Sequence, residues 1–431
     1  MERYSNYKDS GEQWLGEIPS HWDVKRLGSF FRERRCKVSD KEYAPLSVTK
    51  QGILPQLENV AKSNDSDNRK LVCKGDFVIN SRSDRKGSSG VSYMDGSVSL
   101  INIVLQPRKA IVTDYCNYLL KSTAFVEEFY RNGRGIVADL WTTRFDEMKS
   151  IKLAMPTISE QNSMVSYLDR VTTQIDEAIA QQQRMIDLLN ERKQIIIQNA
   201  VTKGLNPNFE MKDSGVKWIG DIPQHWDVEP FGRHFMFGSG LNITKANLQE
   251  NGIAVISYGQ IHSKDNLGTT LSENLIKFVS PKYLQSKPQC LLKRNDFIFA
   301  DTSEDVEGAG NFAFNDYHDR IFAGYHTIIA RPINLIYPKY YAYLFKSKAW
   351  KKQIQSLVNA VKVYSIGKRI LKSSKILIPT EIEQHKIVEY LDAKTSVIDT
   401  SIESITKQIA LLRERKQIII NDVVTGKVKV S

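Results

Sequence analysis

Two long stretches of this 431-residue chain are copies of one another, and each carries a heptad pattern. "PTISEQNSMVSYLDRVTTQIDEAIAQQQRMIDLLNERKQIIIQNAVTKG" begins at Pro156, and "PTEIEQHKIVEYLDAKTSVIDTSIESITKQIALLRERKQIIINDVVTGK" begins at Pro379. They align without gaps through Glu-Gln, Tyr-Leu-Asp, Ile-Asp, Leu-Leu and Glu-Arg-Lys-Gln-Ile-Ile-Ile. Pro-Thr followed by acidic residues is a helix-start signal, and Gly204 and Gly426 mark the stops. Apolar residues recur three and four apart, at Leu168, Ile175, Ile179, Ile186, Leu189, Ile196 and Ala200 in the first copy. In the second copy they are Leu391, Ile398, Ile402, Ile405, Ile409, Leu412, Ile419 and Val423. A seam held for several heptads requires a helical partner. An amphipathic helix lying on its own globular domain would show a similar stripe. The same seam in both copies favours pairing of one copy with the other, and about 40 residues at 1.5 Å each make a spacer about 60 Å long.

The duplication reaches further. "DSGEQWLGEIPSHWDV" (Asp9–Val24) returns as "DSGVKWIGDIPQHWDV" (Asp213–Val228). "LVCKGDFVIN" corresponds to "CLLKRNDFIFA", each a turn followed by a short apolar strand. "LINIVLQP" and "GYHTIIARP" read as a second strand, and "YCNYLLKS" and "YYAYLFKS" as a helix. Between these anchors the copies diverge, so a shared scaffold carries different loops. The chain is too long for one core. It divides into a first globular domain (1–155), a central helix (156–205), a second globular domain (206–378) and a distal helix (379–431). The mixture of strand and helix signals gives an α/β (α+β) class.

Lys and Arg exceed Asp and Glu by 11, yet the two helical copies are nearly neutral, which leaves a net charge of +12 on the rest. That distribution suits two polyanion-binding heads on a spacer. Cys36, Cys73, Cys116 and Cys290 are scattered without a C-x-x-C pair, which predicts reduced core thiols. The opening "MERYSNYKDSGEQ" is polar and no apolar run approaches a membrane span. The expectation is a soluble, cytoplasmic protein.

These features together resemble the specificity subunit of type I restriction–modification systems over essentially the whole chain. They are the doubled "W-[LI]-G-[ED]-I-P-x-H-W", the "DF-[VI]" strand, and the "P-T-x-x-E-Q … Y-L-D … I-D" helix opening that runs on to "ERKQIII". The resemblance implies two target recognition domains separated by a long antiparallel two-helix coiled coil, an internal repeat with pseudo-two-fold symmetry. Each domain would read one half of a bipartite sequence in double-stranded DNA. The helical regions would recruit two modification (methyltransferase) subunits, joined by restriction (nuclease–translocase) subunits. By the same resemblance this chain binds no cofactor and carries no catalytic or metal-binding residue. S-adenosylmethionine, ATP and Mg belong to the partner subunits.

Arg can bridge guanine O6 and N7, and Asn the N6 and N7 of adenine. In the first head, "NSRSDRKGSSG" offers Asn80, Ser81, Arg82, Ser83, Arg85 and Lys86 as DNA-binding candidates. "VTKQG" adds Lys50 and Gln51, and "RNGRGIVADLWTTR" adds Arg131, Arg134 and Arg144. In the second head the equivalent loop is "ADTSEDVEGAGN", where Asp301, Thr302, Ser303 and Glu304 replace the basic cluster. Carboxylates there repel phosphate but accept from cytosine N4. "SYGQIHSK" contributes Tyr258, Gln260 and Lys264, and "NAVKVYSIGKR" contributes Lys362, Tyr364, Lys368 and Arg369. Trp14, Trp22, Trp218 and Trp226 are assigned to packing, because identical residues in both heads serve a scaffold better than they serve two different targets. His21 and His225 lack ligand-spaced partners and are assigned the same way.

Three other readings compete with this one. A fused adenine-N6 DNA methyltransferase needs an Asn/Asp-Pro-Pro-aromatic loop, and "NPNF" at Asn206–Phe209 lacks the second proline. A coiled-coil adaptor that binds only protein does not account for the positive heads. A nuclease reading has only Glu147-x-Lys149, a common spacing.

Overall fold

The Pro-Thr-x-x-Glu spacing closes as a capping box at the start of both long helices in the computed structural model, which describes residues 2–56, 67–108, 111–135, 141–316, 320–333, 337–358 and 364–430. Helix α1 spans Ile158–Lys203 and helix α2 spans Glu381–Val424. Glu160 Oε2 accepts from the Thr157 N–H at 3.0 Å, and Thr157 Oγ1 accepts from the Glu160 N–H at 3.3 Å. Thr380 and Glu383 repeat the exchange, so two orphan donors are satisfied at each start. Gly204 (φ +72°) and Gly426 (φ +77°) end the helices in the left-handed conformation that glycine adopts without cost.

The chain forms two compact units: residues 1–183 with 405–431, and residues 184–404. The division falls inside both long helices, so each unit takes half of each. Within the first unit Asp176 pairs with Lys416 at 2.6 Å, and Gln182 bonds Gln408 at 3.0 Å. Advancing along α1 therefore retreats along α2, and the pair is antiparallel. Within the second unit Lys193 Nζ lies 2.6 Å from Asp399 Oδ1. Every seam residue read from the sequence is buried or half-buried. The helix ends also join the globular cores. Leu168, Ile419 and Val423 pack with Trp22 and Leu119, and Ile197, Val201 and Leu391 pack with Trp226 and Trp350. Pairing and lying on a domain are thus both true, at different heights along the helices.

The same scaffold is built in both units. The strand after each His-Trp phrase pairs with the strand before each long helix: Asp23–Arg26 with Lys152–Met155, and Asp227–Pro230 with Lys375–Ile378. A four-stranded antiparallel sheet in the first unit runs Ser89–Val91, Phe77–Asn80, Asn102–Pro107, Phe31–Glu33. Its counterpart runs Phe312–Phe314, Phe297–Ala300, Thr327–Pro332, Phe235–Ser239. A helix pair follows in each, Thr113–Lys121 with Thr123–Arg131 and Pro338–Lys346 with Lys348–Leu357. The turns before the Asp-Phe strands also match, with Gly75 (φ +92°) and Asn295 (φ +73°) both left-handed.

The halves part company in their second sheets. In the first unit Gly96–Ser99, Arg69–Val72 and Lys37–Val38 are all antiparallel. In the second, Ile253–Ile256 pairs antiparallel with Lys277–Val279 and parallel with Ile321–Ala323. Two expectations need correction. Cys36 is exposed and Cys73 half-buried, so only Cys116 and Cys290 are core thiols. Trp22 and Trp226 are fully buried, but Trp218 is 38% exposed, with the Lys217 and Lys352 ammoniums each 5.3 Å from its ring. Tryptophan's large amphipathic ring holds a half-exposed site readily when cations cover its face.

Candidate nucleic-acid interface

A buried aspartate anchors the variable loop of each unit from below. Asp76 has only 3% of its side chain exposed and accepts from Arg34 Nε at 2.7 Å and from the Cys73 N–H at 2.8 Å. Asp296, with its side chain fully buried, accepts from Arg331 Nη2 at 2.6 Å and the Lys293 N–H at 2.7 Å. The aspartates are equivalent in sequence, whereas the arginines come from different strand positions. The hydrogen bonds to Asp76 and Asp296 hold both guanidiniums above their usual range against the opposing effect of burial. Each pair fixes the turn from which the Asp-Phe strand, and then the candidate loop, emerges.

In the first unit the loop after Asn80 forms a short ladder with residues 141–144. Arg82 bridges Thr142, the Ser83 N–H donates to Trp141 O at 3.0 Å, and the Thr143 N–H donates to Ser81 O at 3.0 Å. Arg134 also bridges Thr142. Three candidate stretches thus meet in one place. Asn80 and Ser81 belong to the frame: both are buried, Asn80 Oδ1 accepts from the Arg82 N–H, and Ser81 Oγ donates to Ile101 O at 2.6 Å. Several cations are paired with carboxylates: Lys86 with Glu127 at 2.6 Å, Arg131 with Glu128 at 2.8 Å, Arg134 with Glu147 at 3.5 Å and, more loosely, Arg85 with Asp84 at 3.8 Å. Arg82 and Arg144 are exposed and line a groove of about 530 Å³ together with Lys37, Lys70 and Arg35. Lys50 and Gln51 line a different cavity, beside Lys121 and the helix-pair residue Lys416. They do not join the Arg82 loop.

In the second unit the equivalent ladder joins Thr302 to Ser365 and Ser303 to Tyr364. The Ile366 N–H donates to Asp301 O at 2.8 Å. A cavity of about 800 Å³ opens here, lined by Tyr258, Thr302, Ser303, Glu304, His326 and others. A chain of hydrogen bonds supports it: Lys351 donates to Asn311 Oδ1, Asn311 Nδ2 meets His262 Nδ1 at 3.0 Å, and His262 Nε2 meets Thr302 O at 2.8 Å. A neutral imidazole with its hydrogen on Nε2 satisfies both contacts. Burial pushes the Lys351 ammonium down against the pull of Asp305. Asp301 is half-buried and 3.2 Å from His326 Nδ1, while Ser303 Oγ donates to Asp305 O at 2.7 Å. Gln260 Oε1 accepts from the Ser257 N–H at 3.1 Å, so that end of its side chain caps its own helix turn. Lys264 is exposed on a separate turn, Lys368 and Arg369 open the helix Lys368–Ser373, and Lys362 lies outside the described residues.

Sequence reasoning missed His262, Asn311, Lys351 and His326 in this cavity. Their only trace was that the linear stretches around them diverge from the first copy. Among the described residues no His/Cys/Asp/Glu group is placed to hold a metal ion, and no helix is long and apolar enough to cross a membrane.

The two units thus share one scaffold and carry loops that differ in sequence, charge and second-sheet topology. Residues 235–411 match the family described as the type I restriction modification DNA specificity domain. The chain is 23% identical to the type I restriction enzyme MjaVIII specificity subunit of Methanocaldococcus jannaschii, over 96% of this chain and 94% of that one. Its fold is similar, at a TM-score of 0.70 and 13% identity, to a chain of a type I R-M system solved for the structural basis of its complex assembly and conformational transition, covering 95% of this chain and 99% of that one. Residues 235–411 thus match a type I restriction modification DNA specificity domain, and the chain along nearly its whole length is similar to type I restriction enzyme specificity subunits.

Proposed function

We propose that this chain reads a bipartite, asymmetric site in duplex DNA, one half through each unit, and delivers it to methyltransferase and restriction subunits. The observation that carries the reading is the twin ladder. Both units hold a variable loop against a second variable segment on the same aspartate-anchored frame, yet present Arg82 and Arg144 in one and Thr302 and Tyr364 in the other. A common frame with different side chains is what two different half-sites require, since base edges carry the sequence information and backbone contacts the register. The positive excess outside the long helices supports affinity for phosphate.

The partner surface has support of its own. Leu188 and Ile195 on α1, and their repeat equivalents Leu411 and Ile418 on α2, are exposed on the helix surface away from the seam. An apolar pair kept solvent-exposed in both copies fits one kind of partner bound twice, which is the stoichiometry of two modification subunits. S-adenosylmethionine, ATP and Mg act on those partners, this chain supplies no catalytic residue, and the complex works in the cytoplasm.

Exchange of Trp22–Met155 for the equivalent domain of another specificity subunit, followed by mapping of methylated sites, tests this. One half-site changes and the other persists. A change in both would refute independent reading. Four residues inserted into α1 alter the gap between half-sites and leave the bases unchanged.

A further inference from the structure

We infer that Arg82 and Arg144 are the specificity-determining residues of the first unit and that each grips the major-groove edge of a guanine. This rests on the reading of the chain as a DNA-recognition subunit and narrows it to two side chains and one base. Five arginines and a lysine crowd the loop region, and their partners separate them. Lys86, Arg131 and Arg134 face Glu127, Glu128 and Glu147, and Arg85 faces Asp84. Among the described residues neither Arg82 nor Arg144 has a carboxylate within ion-pair distance. Asp146, which lines the same groove, is bound by Lys149 at 2.7 Å, and Glu33 is bound by Arg35 and Lys70. A guanidinium without an internal partner keeps its full fork of donors for a ligand.

Both residues are also held in place. Arg82 (φ −89°, ψ 142°) and Arg144 (φ −92°, ψ 169°) have extended backbones on the two sides of the ladder. Arg82 stands opposite Thr142, so Arg144 is its diagonal neighbour on the same face. Both line the one groove. Diagonal neighbours of this kind are about 7–8 Å apart, close to two base-pair steps at about 3.4 Å each. The forks therefore meet bases two steps apart, and a forked donor pair matches O6 and N7 of guanine. The ladder of the second unit carries Thr302, Ser303, Tyr364 and Ser365, and has no cation of its own at these positions. The guanine pair belongs to one half-site only.

The test uses the full chain assembled with its methyltransferase subunits in a host, with methylated bases mapped across the genome. For Arg82→Ala and for Arg144→Ala, discrimination at a single guanine position falls about ten- to a hundredfold. The two positions lie in the same half-site, two steps apart, and the other half-site is unchanged. Arg82→Lys keeps charge and fold but loses the fork, and relaxes the same position, while Lys86→Ala leaves the motif intact. A uniform loss of methylation with every base preference retained would make these residues phosphate contacts and overturn the inference. A wild-type complex that yields no motif would overturn the DNA-recognition reading itself, and the inference with it.

Discussion

Trp226 Nε1 donates to Glu383 Oε1 at 3.1 Å, across 157 residues of sequence. Trp22 and Glu160 make the same contact at 3.4 Å. The glutamate is the capping residue of the long helix, and His225 or His21 bonds it as well. The doubled aromatic phrase is therefore the socket that seats each helix start. Partial burial works to raise both carboxyls. The hydrogen bonds from threonine, tryptophan and histidine outweigh it and hold them below the usual range. Replacing Glu383 by Ala removes the acceptor for Trp226, His225 and Thr380 together. The expected loss is about 1–3 kcal/mol in denaturant unfolding, with Trp226→Phe costing about 1 kcal/mol.

Two ion pairs between the long helices, Lys193 with Asp399 and Lys416 with Asp176, differ in burial, and so in consequence. Lys193 has 9% of its side chain exposed, whereas Lys416 has 23% and its partner Asp176 has 59%. Asp399→Ala strands a buried ammonium and is expected to cost about 2–3 kcal/mol. Asp176→Ala should cost about 1 kcal/mol or less. Equal losses in parallel urea titrations would contradict the assignment of Lys193 as buried.

Gly426 closes the circuit from the other side. A β-carbon there would collide with Pro19 and Trp22 of the first aromatic phrase, and its φ is +77°. Gly11 has φ +69° but nothing within 4 Å. Gly426→Ala should destabilise by about 2 kcal/mol or more, and Gly11→Ala by about 1 kcal/mol from backbone strain alone. Thermal unfolding of the two variants separates steric from conformational cost.

Lys346 ends the helix Pro338–Lys346, and its Nζ donates to Leu267 O at 2.6 Å. Burial first, then the neighbouring Lys193, pushes it down to about 8. Between about pH 8 and the ordinary lysine value near 10.4, the unfolded chain holds a proton that the folded chain has released. Stability contributed at this site therefore rises with pH through that window. The difference in unfolding free energy between wild type and Lys346→Met should move in favour of wild type from pH 8 to pH 10. A flat difference would mean that the ammonium is better solvated than its setting implies.

Where the chain repeats itself, the sequence was readable. Capping boxes, glycine stops, the heptad seam and the Asp-Phe strands each rest on residues a few positions apart, and they recur, so each copy checked the other. The cavity of the second unit had no such support, because His262, Asn311 and Lys351 meet through hydrogen bonds that span 40 and 49 residues. Charge alone also misled. The cations of "NSRSDRKG" and "RNGR" read alike, and Glu127, Glu128 and Glu147, arriving from a helix and a later turn, show that Lys86, Arg131 and Arg134 are already paired.

Local periodicity and duplication thus determined the class, the two long helices and the paired heads, since those features follow from short-range backbone preferences and one-sided burial. Only the tertiary structure decided which side chains are free, which are frame, and how each helix is shared between cores. Ion pairing and burial are properties of residues brought together from distant parts of the chain, and no spacing within a loop encodes them.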